Sequence, residues 1–431
     1  MANNKIQLAN GLVLIDLTED TVTPETLAFG YTAHTASGSQ ITGTMQSVTI
    51  DNLSVSSNGV YNPSSNHAFG QVTVNVSGSG DEGLSYLSNL LARSVSSSYY
   101  NPVLTNAGPY AFTGCSNITS VDLPACKTFG SDAFYSCSKL TTIVASGCEI
   151  IGGFAFQSLH SLTTVIFPEC RYIGFGAFSY CSRLNNLSFP NCTTIDQYAF
   201  QSCRSLSTVY FPKCTEISWN AFAGCSSLTT AIFPECTSMR PYAFQGCSSL
   251  ATVDLPKCTV IPAGAFASCW NLSAVNMPLC ASIGESAFNG CRFLTSIYFS
   301  ECTSIGDSAF YDCWSLVTTS LPKLSRVLST VFRNCSSLTT VFLSACTSIS
   351  SSAFSGCRYF ISLYLLGSSV TSIYNSKVFY STPIGGYSAS AGQYGSVFVK
   401  ESLYSSYIAD TTWRYLSNRI VSMTDAEIEA L

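Results

Sequence analysis

The sequence predicts a solenoid, with a parallel β-sheet on one face, short helical or 3₁₀ turns on the other, and small β-rich modules at the N-terminus. Three observations predict it. A phenylalanine recurs every 22 residues, twelve times without slippage, at Phe112, Phe134, Phe156, Phe178, Phe200, Phe222, Phe244, Phe266, Phe288, Phe310, Phe332 and Phe354. Counted from each of these as position 0, apolar residues return at +3, +6, +9, +11, +14 and +17. All 21 cysteines occupy just two of those columns, +3 and +14. A strict period over this length marks stacked supersecondary units rather than a globular domain.

Taken in chain order, residues 1–45 read as a first module. Leu14-Ile15-Asp16-Leu17-Thr18-Glu19-Asp20-Thr21-Val22-Thr23 is followed by Gly30-Tyr31-Thr32-Ala33-His34 and by Gly38-Ser39-Gln40-Ile41-Thr42-Gly43-Thr44-Met45. Residues 46–80 hold a second module and a linker: Asn58-Gly59-Val60-Tyr61-Asn62-Pro63, then Val72-Thr73-Val74-Asn75-Val76. Both read as short strands with turns at Ser37-Gly38 and Asn58-Gly59, and Gly78-Ser79-Gly80 suits a flexible joint. These stretches resemble modules of tail-associated proteins from phages and prophages of Gram-positive bacteria. That resemblance implies docking to virion tail components.

Residues 82–95 read as a capping helix, because Leu84, Leu87 and Leu91 share one helical face behind a candidate N-cap, Asp81. A cap is needed because a terminal coil would otherwise expose its apolar face.

The array spans 96–368. One unit, Ala177-Phe178 to Ile195, shows the logic. Apolar +9 and +11 alternate with polar neighbours, the period-2 mark of a strand. Proline at +12 ends it where no ladder N–H is needed, as at Pro190, Pro212 and Pro234. Glycine at +18 (Gly130, Gly152, Gly174, Gly284, Gly306) marks a tight turn, and the next Ala-Phe opens a short helical turn. Each coil is thus expected to hold one strand and one turn. Beyond 369 a C-terminal cap is expected, with a strand at Val397-Phe398-Val399, a short helix from Ser402 to Asp410, and then Trp413 and Tyr415.

The spacing Leu162-x-x-Val165-x-Phe167-x-x-Cys170 is the leucine-rich repeat pattern. The 22-residue unit with Ala-Phe and two cysteines resembles the bacterial BspA-like subclass. That resemblance implies a leucine-rich repeat solenoid and a surface or adhesion role, with a protein or glycan on a cell surface as partner.

Three readings of the cysteines compete. An odd total and stacked parallel side chains oppose a disulfide framework. No CxxC occurs, so zinc is not expected. What remains is packing: cysteine as a small buried hydrophobe whose S–H can donate to turn carbonyls. Leu159 and Leu324 replace cysteine in single units, as a packing position allows. Phe178, Phe200 and Phe222, with Cys181, Cys192, Cys203 and Cys214, are therefore expected in the structural core.

Composition narrows function. Only 10% of residues are charged and the net charge is −5, which disfavours nucleic acid as a partner. The apolar runs are too short to span a bilayer. No signal peptide is visible after Met1-Ala2-Asn3-Asn4-Lys5. The expected localisation is a virion tail or the extracellular cell surface, after cytoplasmic synthesis with reduced cysteines.

No HExxH, nucleophile elbow or phosphate loop occurs, and His34, His67 and His160 are the only histidines. His34 and His160 read as turn residues. No cofactor, metal or catalysis is expected.

The candidate binding surface is the outward strand position, +10. It varies where the packed columns are monotonous, and it carries Tyr210, Ile232, Tyr298, Phe342 and Tyr364. Aromatics beside the Thr and Ser of +7 and +8 suit glycan or protein contact, although high β-propensity alone would also place them there. Three roles follow as expectations: tail-associated host recognition, a BspA-like cell-surface adhesin, or an intracellular interaction scaffold.

Overall fold

The computed structural model describes residues 97–387 and 394–431, with the backbone of four short strands nearer the N-terminus. The chain divides into two compact units, Met1–Pro168 and Glu169–Leu431.

In the first unit, strands Lys5–Gln7 and Val13–Asp16 pair antiparallel. Thr32–His34 pairs antiparallel with Gln40–Thr42, while the turn expected at Ser37-Gly38 lies outside the described residues. His34, expected in a turn, stands in a strand opposite Gln40. The second module at 46–80 and the helix at 82–95 lie outside the described residues.

The coils that follow form two parallel ladders. Ser98–Tyr100, Ser120–Asp122, Thr142–Val144 and Thr164–Ile166 pair in order. Asn106–Ala107, Thr128–Phe129 and Ile150–Ile151 form the second ladder. The sequence reading assigned one strand per coil. The second strand, at +16 and +17, is only two residues long, too short for alternation to show. The array starts ahead of the first ladder phenylalanine: Tyr99 packs edge-on against Phe112 at 5.5 Å, and buried Asn101 accepts from the N–H groups of Val103 and Leu104.

The second unit repeats this plan. Its long-strand ladder runs Thr208–Tyr210, Thr230–Ile232, Thr252–Asp254, Ala274–Asn276, and then Ser296–Tyr298, Thr318–Ser320, Thr340–Leu343, Ser362–Leu365, Ser396–Lys400, Ile420–Met423. Among the described residues the ladder breaks between 274–276 and 296–298. Register is 22 residues through Thr340↔Ser362, but then Ser362 pairs with Ser396. The apolar +9 residues point inward; Val209, Ile297 and Val341 are buried.

The Ala-Phe run forms linked β-turns rather than a 3₁₀ helix. The residues two before and two after each phenylalanine have positive φ, as at Tyr198 (60°) and Ser202 (58°) flanking Phe200. The reason lies in the hydrogen bonds, since alternate N–H groups face alternate partners. Tyr198, Phe200 and Ser202 donate to the next coil, at Trp219, Ala221 and Ala223, with lengths of 3.0, 2.7 and 2.8 Å. Ala199, Gln201 and Cys203 donate within their own coil, to Asp196, Tyr198 and Phe200. The stack thereby pairs its backbone on the turn face as well as in both ladders, which buried polar groups require.

Phenylalanine rings stack through each unit: Phe112–Phe134 at 4.6 Å and Phe134–Phe156 at 5.1 Å in the first, Phe178–Phe200 and Phe200–Phe222 at 5.2 Å in the second. Phe178, Phe200, Phe222, Cys181, Cys192, Cys203 and Cys214 are all 0% exposed. All 21 cysteines are buried. At +3 the thiol of Cys225 donates to Phe200 O at 3.1 Å, the carbonyl that also accepts from the Cys203 N–H. At +14 the thiol of Cys192 donates to Thr194 O at 3.4 Å in its own coil. A residue that is small, apolar and able to donate fits both columns.

Glycine at +18 answers a close approach, not a left-handed turn. A Cβ on Gly152 would lie 2.7 Å from Phe129 O and 2.9 Å from Gly130 C, both backbone atoms.

Array contacts continue past residue 368, into the region expected to be a separate cap. Ser372–Ile373 joins the short-strand ladder beside Ser348–Ile349, and Phe379 stacks on Phe354 at 5.9 Å. The strand at 397–399 and the following helix appear as expected, as Ser396–Lys400 and Glu401–Ala409. Trp413 is fully buried and its Nε1–H donates to Thr371 O at 2.6 Å, while the Thr371 N–H donates to the Tyr407 hydroxyl at 2.9 Å. Those two aromatics close the stack.

Candidate functional site: the outward strand column

Within each three-residue strand, +8 and +10 point outward while +9 enters the core, so the +10 residues of paired strands stand side by side. The register sets Tyr210 beside Ile232, Ile232 beside Asp254, and Asp254 beside Asn276. Past the ladder break it sets Tyr298 beside Ser320, Phe342 and then Tyr364. The five candidate residues therefore fall into two stretches of surface rather than one.

The first stretch is polar at its far end, where the Asn276 amide donates to Asp254 Oδ1 at 2.6 Å. Tyr210 is 59% exposed and walls a shallow depression with Asn186, Ser188, Pro190 and Pro212. Ile232 is half-buried.

The second stretch is aromatic. Tyr298 is 75% exposed. Phe342 and Tyr364 are half-buried because their rings stack, 4.5 Å apart and 12° from parallel. Tyr364 stacks in turn on Phe398 at 4.6 Å and 13°. Sequence reasoning missed Phe398 because it follows Tyr364 by 34 residues instead of 22, although it sits in a strand that the pattern did reveal. The result is a three-ring platform on the outer sheet face, fixed by backbone register.

The hydroxyl columns differ from expectation. Those at +7 are spent on the preceding coil: Thr229 Oγ1 donates to Ser207 O at 2.9 Å and Thr339 Oγ1 to Val317 O at 3.1 Å. The +8 hydroxyls, of Thr208, Thr230, Ser362 and Ser396, are exposed or half-buried beside the aromatic column.

The +13 pairs Lys257–Glu235 and Lys323–Glu301, each 2.6 Å, are about half exposed and contribute roughly 0–1 kcal/mol apiece. His160 is exposed at +4 as expected. Among the described residues no group of His, Cys, Asp or Glu is placed to hold a metal ion, and no helix is long and apolar enough to cross a membrane. Burial pushes the Cys126 thiol up to about 11 and the Cys192 thiol to about 12, so both stay protonated and unreactive near neutral pH.

The BspA type leucine rich repeat region model, in six copies, matches residues 93–183, 171–280 and 259–384. No curated protein matches the chain. Among solved structures, a leucine-rich repeat protein from Bacteroides ovatus is 22% identical, over 63% of this chain and 79% of that one, with a TM-score of 0.43. A leucine rich cell surface protein from Faecalibacterium prausnitzii is 21% identical, over 75% of this chain and 82% of that one, with a TM-score of 0.36. A leucine rich repeat protein from T. pallidum is 24% identical, over 49% of this chain and 82% of that one, with a TM-score of 0.34. With the family model matched across 93–384, more than half of the 431 residues, the chain belongs to the BspA-type leucine-rich repeat family.

Proposed function

We propose that this protein is a non-catalytic binding protein whose outer strand face recognises a protein or glycan on a cell surface. The observation that carries the reading is the Phe342–Tyr364–Phe398 platform. Three rings held parallel by register, beside a column of outward hydroxyls, offer a rigid apolar face with polar flanks and little entropy left to lose on binding. Tyr210, Ile232 and Tyr298 extend that surface along the same column. Supporting the adhesion reading is membership of the BspA-type family.

The setting we propose is a phage or prophage tail. The N-terminal modules dock to virion components and the array meets the host. What supports it is the resemblance of Leu14–Met45 and Asn58–Val76 to tail-associated modules. The second reading, a bacterial cell-surface adhesin, is favoured by the family match, which covers the array alone.

The test is binding of the full chain to whole bacterial cells and to a glycan panel, for the native protein and for Tyr210→Ala/Tyr298→Ala/Phe342→Ala together. Loss of binding with unchanged melting supports the strand face. A triple variant that binds like the native protein rejects it. Neighbouring tail and lysis genes would favour the virion setting; a longer reading frame with an export signal would favour the adhesin.

A further inference from the structure

A second surface lies off the strand face, in the turn that leads into the strands. At position +4 of three successive coils stand Trp270, Arg292 and Trp314. The Arg292 guanidinium carbon lies 5.3 Å from the Trp270 ring centre and 4.3 Å from that of Trp314, so the cation is clamped between two indoles. Backbone bonds fix the spacing: Phe293 N donates to Trp270 O and Ser315 N to Arg292 O, at 3.2 and 3.0 Å.

Three features set this cluster apart from a packing motif. The indoles are 46% and 44% exposed and the adjoining Phe293 is 57% exposed, in a turn that elsewhere carries mostly serine. The next residues of the column on either side are Ser248 and Ser336, too small to cover an indole face. The guanidinium is also unmatched. Its Nε is buried with no hydrogen-bond partner among the described residues, and no described ion pair includes it. The acidic side chain of this turn, Asp312, is engaged instead by the Asn334 amide at 3.0 Å.

We infer that the Trp270–Arg292–Trp314 cluster is a binding site for a carboxylate-bearing sugar, the acidic residue of a surface glycan. A guanidinium fork matches a carboxylate with two parallel N–H···O bonds, and a flat indole face takes the C–H side of a sugar ring. Holding the arginine between two rings fixes its rotamer before the ligand arrives, which lowers the entropy cost of binding. Nucleic acid fits less well, because it needs clustered cations and this turn supplies one in a chain of net charge −5. The site is independent of the strand-face column and stands or falls without it.

The experiment uses the full chain with 3′-sialyllactose and a glucuronate-containing tetrasaccharide as acidic probes. Lactose and polyuridylate serve as comparisons, with binding followed by calorimetry and by tryptophan fluorescence. The acidic sugars should bind at least about tenfold tighter than lactose, and more weakly as salt rises. Arg292→Gln should remove that margin, and Arg292→Lys should restore only part of it, because an ammonium lacks the fork. Trp314→Ala should weaken binding by roughly tenfold, while Tyr374→Ala, at an exposed aromatic outside both candidate surfaces, leaves it unchanged. Melting should be the same for all variants, since these side chains lie on the surface. Equal affinity for acidic and neutral sugars, an unaffected Arg292→Gln variant, or tighter binding of polyuridylate would each overturn the assignment.

Discussion

Between Phe178 and Phe354 the rings of the second unit stack at 22-residue intervals, 5.2–5.6 Å apart. Beyond Phe354 the next ring in the stack is Phe379, 25 residues on and 5.9 Å away. The long-strand ladder likewise steps by 22 residues up to Ser362 and by 34 to Ser396. The regular coils pair their backbone by repetition. The closing segment uses single side chains instead: Trp413 and Tyr407 take both backbone groups of Thr371, and the Thr371 hydroxyl reaches Cys346 O at 2.8 Å. What is preserved across the boundary is the contact, not the spacing. The proposed aromatic platform straddles it, with Phe342 and Tyr364 in register and Phe398 beyond.

The largest expected effect concerns the regular coils in alkali. Four of their buried thiols ionise in the unfolded chain near the usual value of 9.0, but in the folded chain only at higher pH, about 11 for Cys302 and Cys346 and about 12 for Cys192 and Cys280. A raised folded-state value gives stability that is fully present below pH 9 and is lost as pH climbs through 11 and 12, by up to about 1.4 kcal/mol per pH unit for each thiol involved. Denaturant melts in reductant at pH 8, 9, 10 and 11 should show a steep fall, shallower in a variant with several of these cysteines replaced by alanine. A flat profile contradicts the burial account.

Next in size is Phe222→Ala, which opens a hole in the middle of the ring stack and should cost about 3–5 kcal/mol by the same melts. In the closing segment, Trp413→Phe keeps most of the volume but removes the only side-chain donor to Thr371 O among the described residues. It should cost about 1–3 kcal/mol. A loss below 0.5 kcal/mol, on the order of experimental error, would mean the segment does not close the stack as described.

A smaller change of opposite sign is expected at Thr319, the one +9 residue of its ladder with a buried hydroxyl and no partner among the described residues. Thr319→Val replaces that hydroxyl by a methyl group of similar size and should stabilise by about 1 kcal/mol. A lower midpoint would indicate that the hydroxyl is satisfied after all.

The columns from +3 to +17 made the solenoid, its phase and the fate of the cysteines legible, because each packed position demands one residue type. The positive-φ positions were not legible. Residues as unlike as Gly224, Tyr198, Asp132 and Thr330 fill them, since what they share is a backbone bond to the next coil and not a side-chain property. The same limit hid the second strand. At the candidate surface, Tyr210 and Tyr298 could be read from the period, whereas Phe398 could not, because an insertion separates it from its column. The Trp270–Arg292–Trp314 triplet does keep the 22-residue spacing, but it occupies a turn column whose other members are mostly serine, so it carries no pattern beyond its own three residues.

The most direct measurement is the affinity of the full chain for its cell-surface ligand before and after Tyr210→Ala/Tyr298→Ala/Phe342→Ala, read beside the melting temperature. These side chains stand outside the core, so melting should shift by no more than a few degrees while binding falls at least tenfold, as expected when aromatic anchors are truncated. Binding that survives intact in a fully folded triple variant would contradict the claim that the outer strand face is where this protein meets its partner.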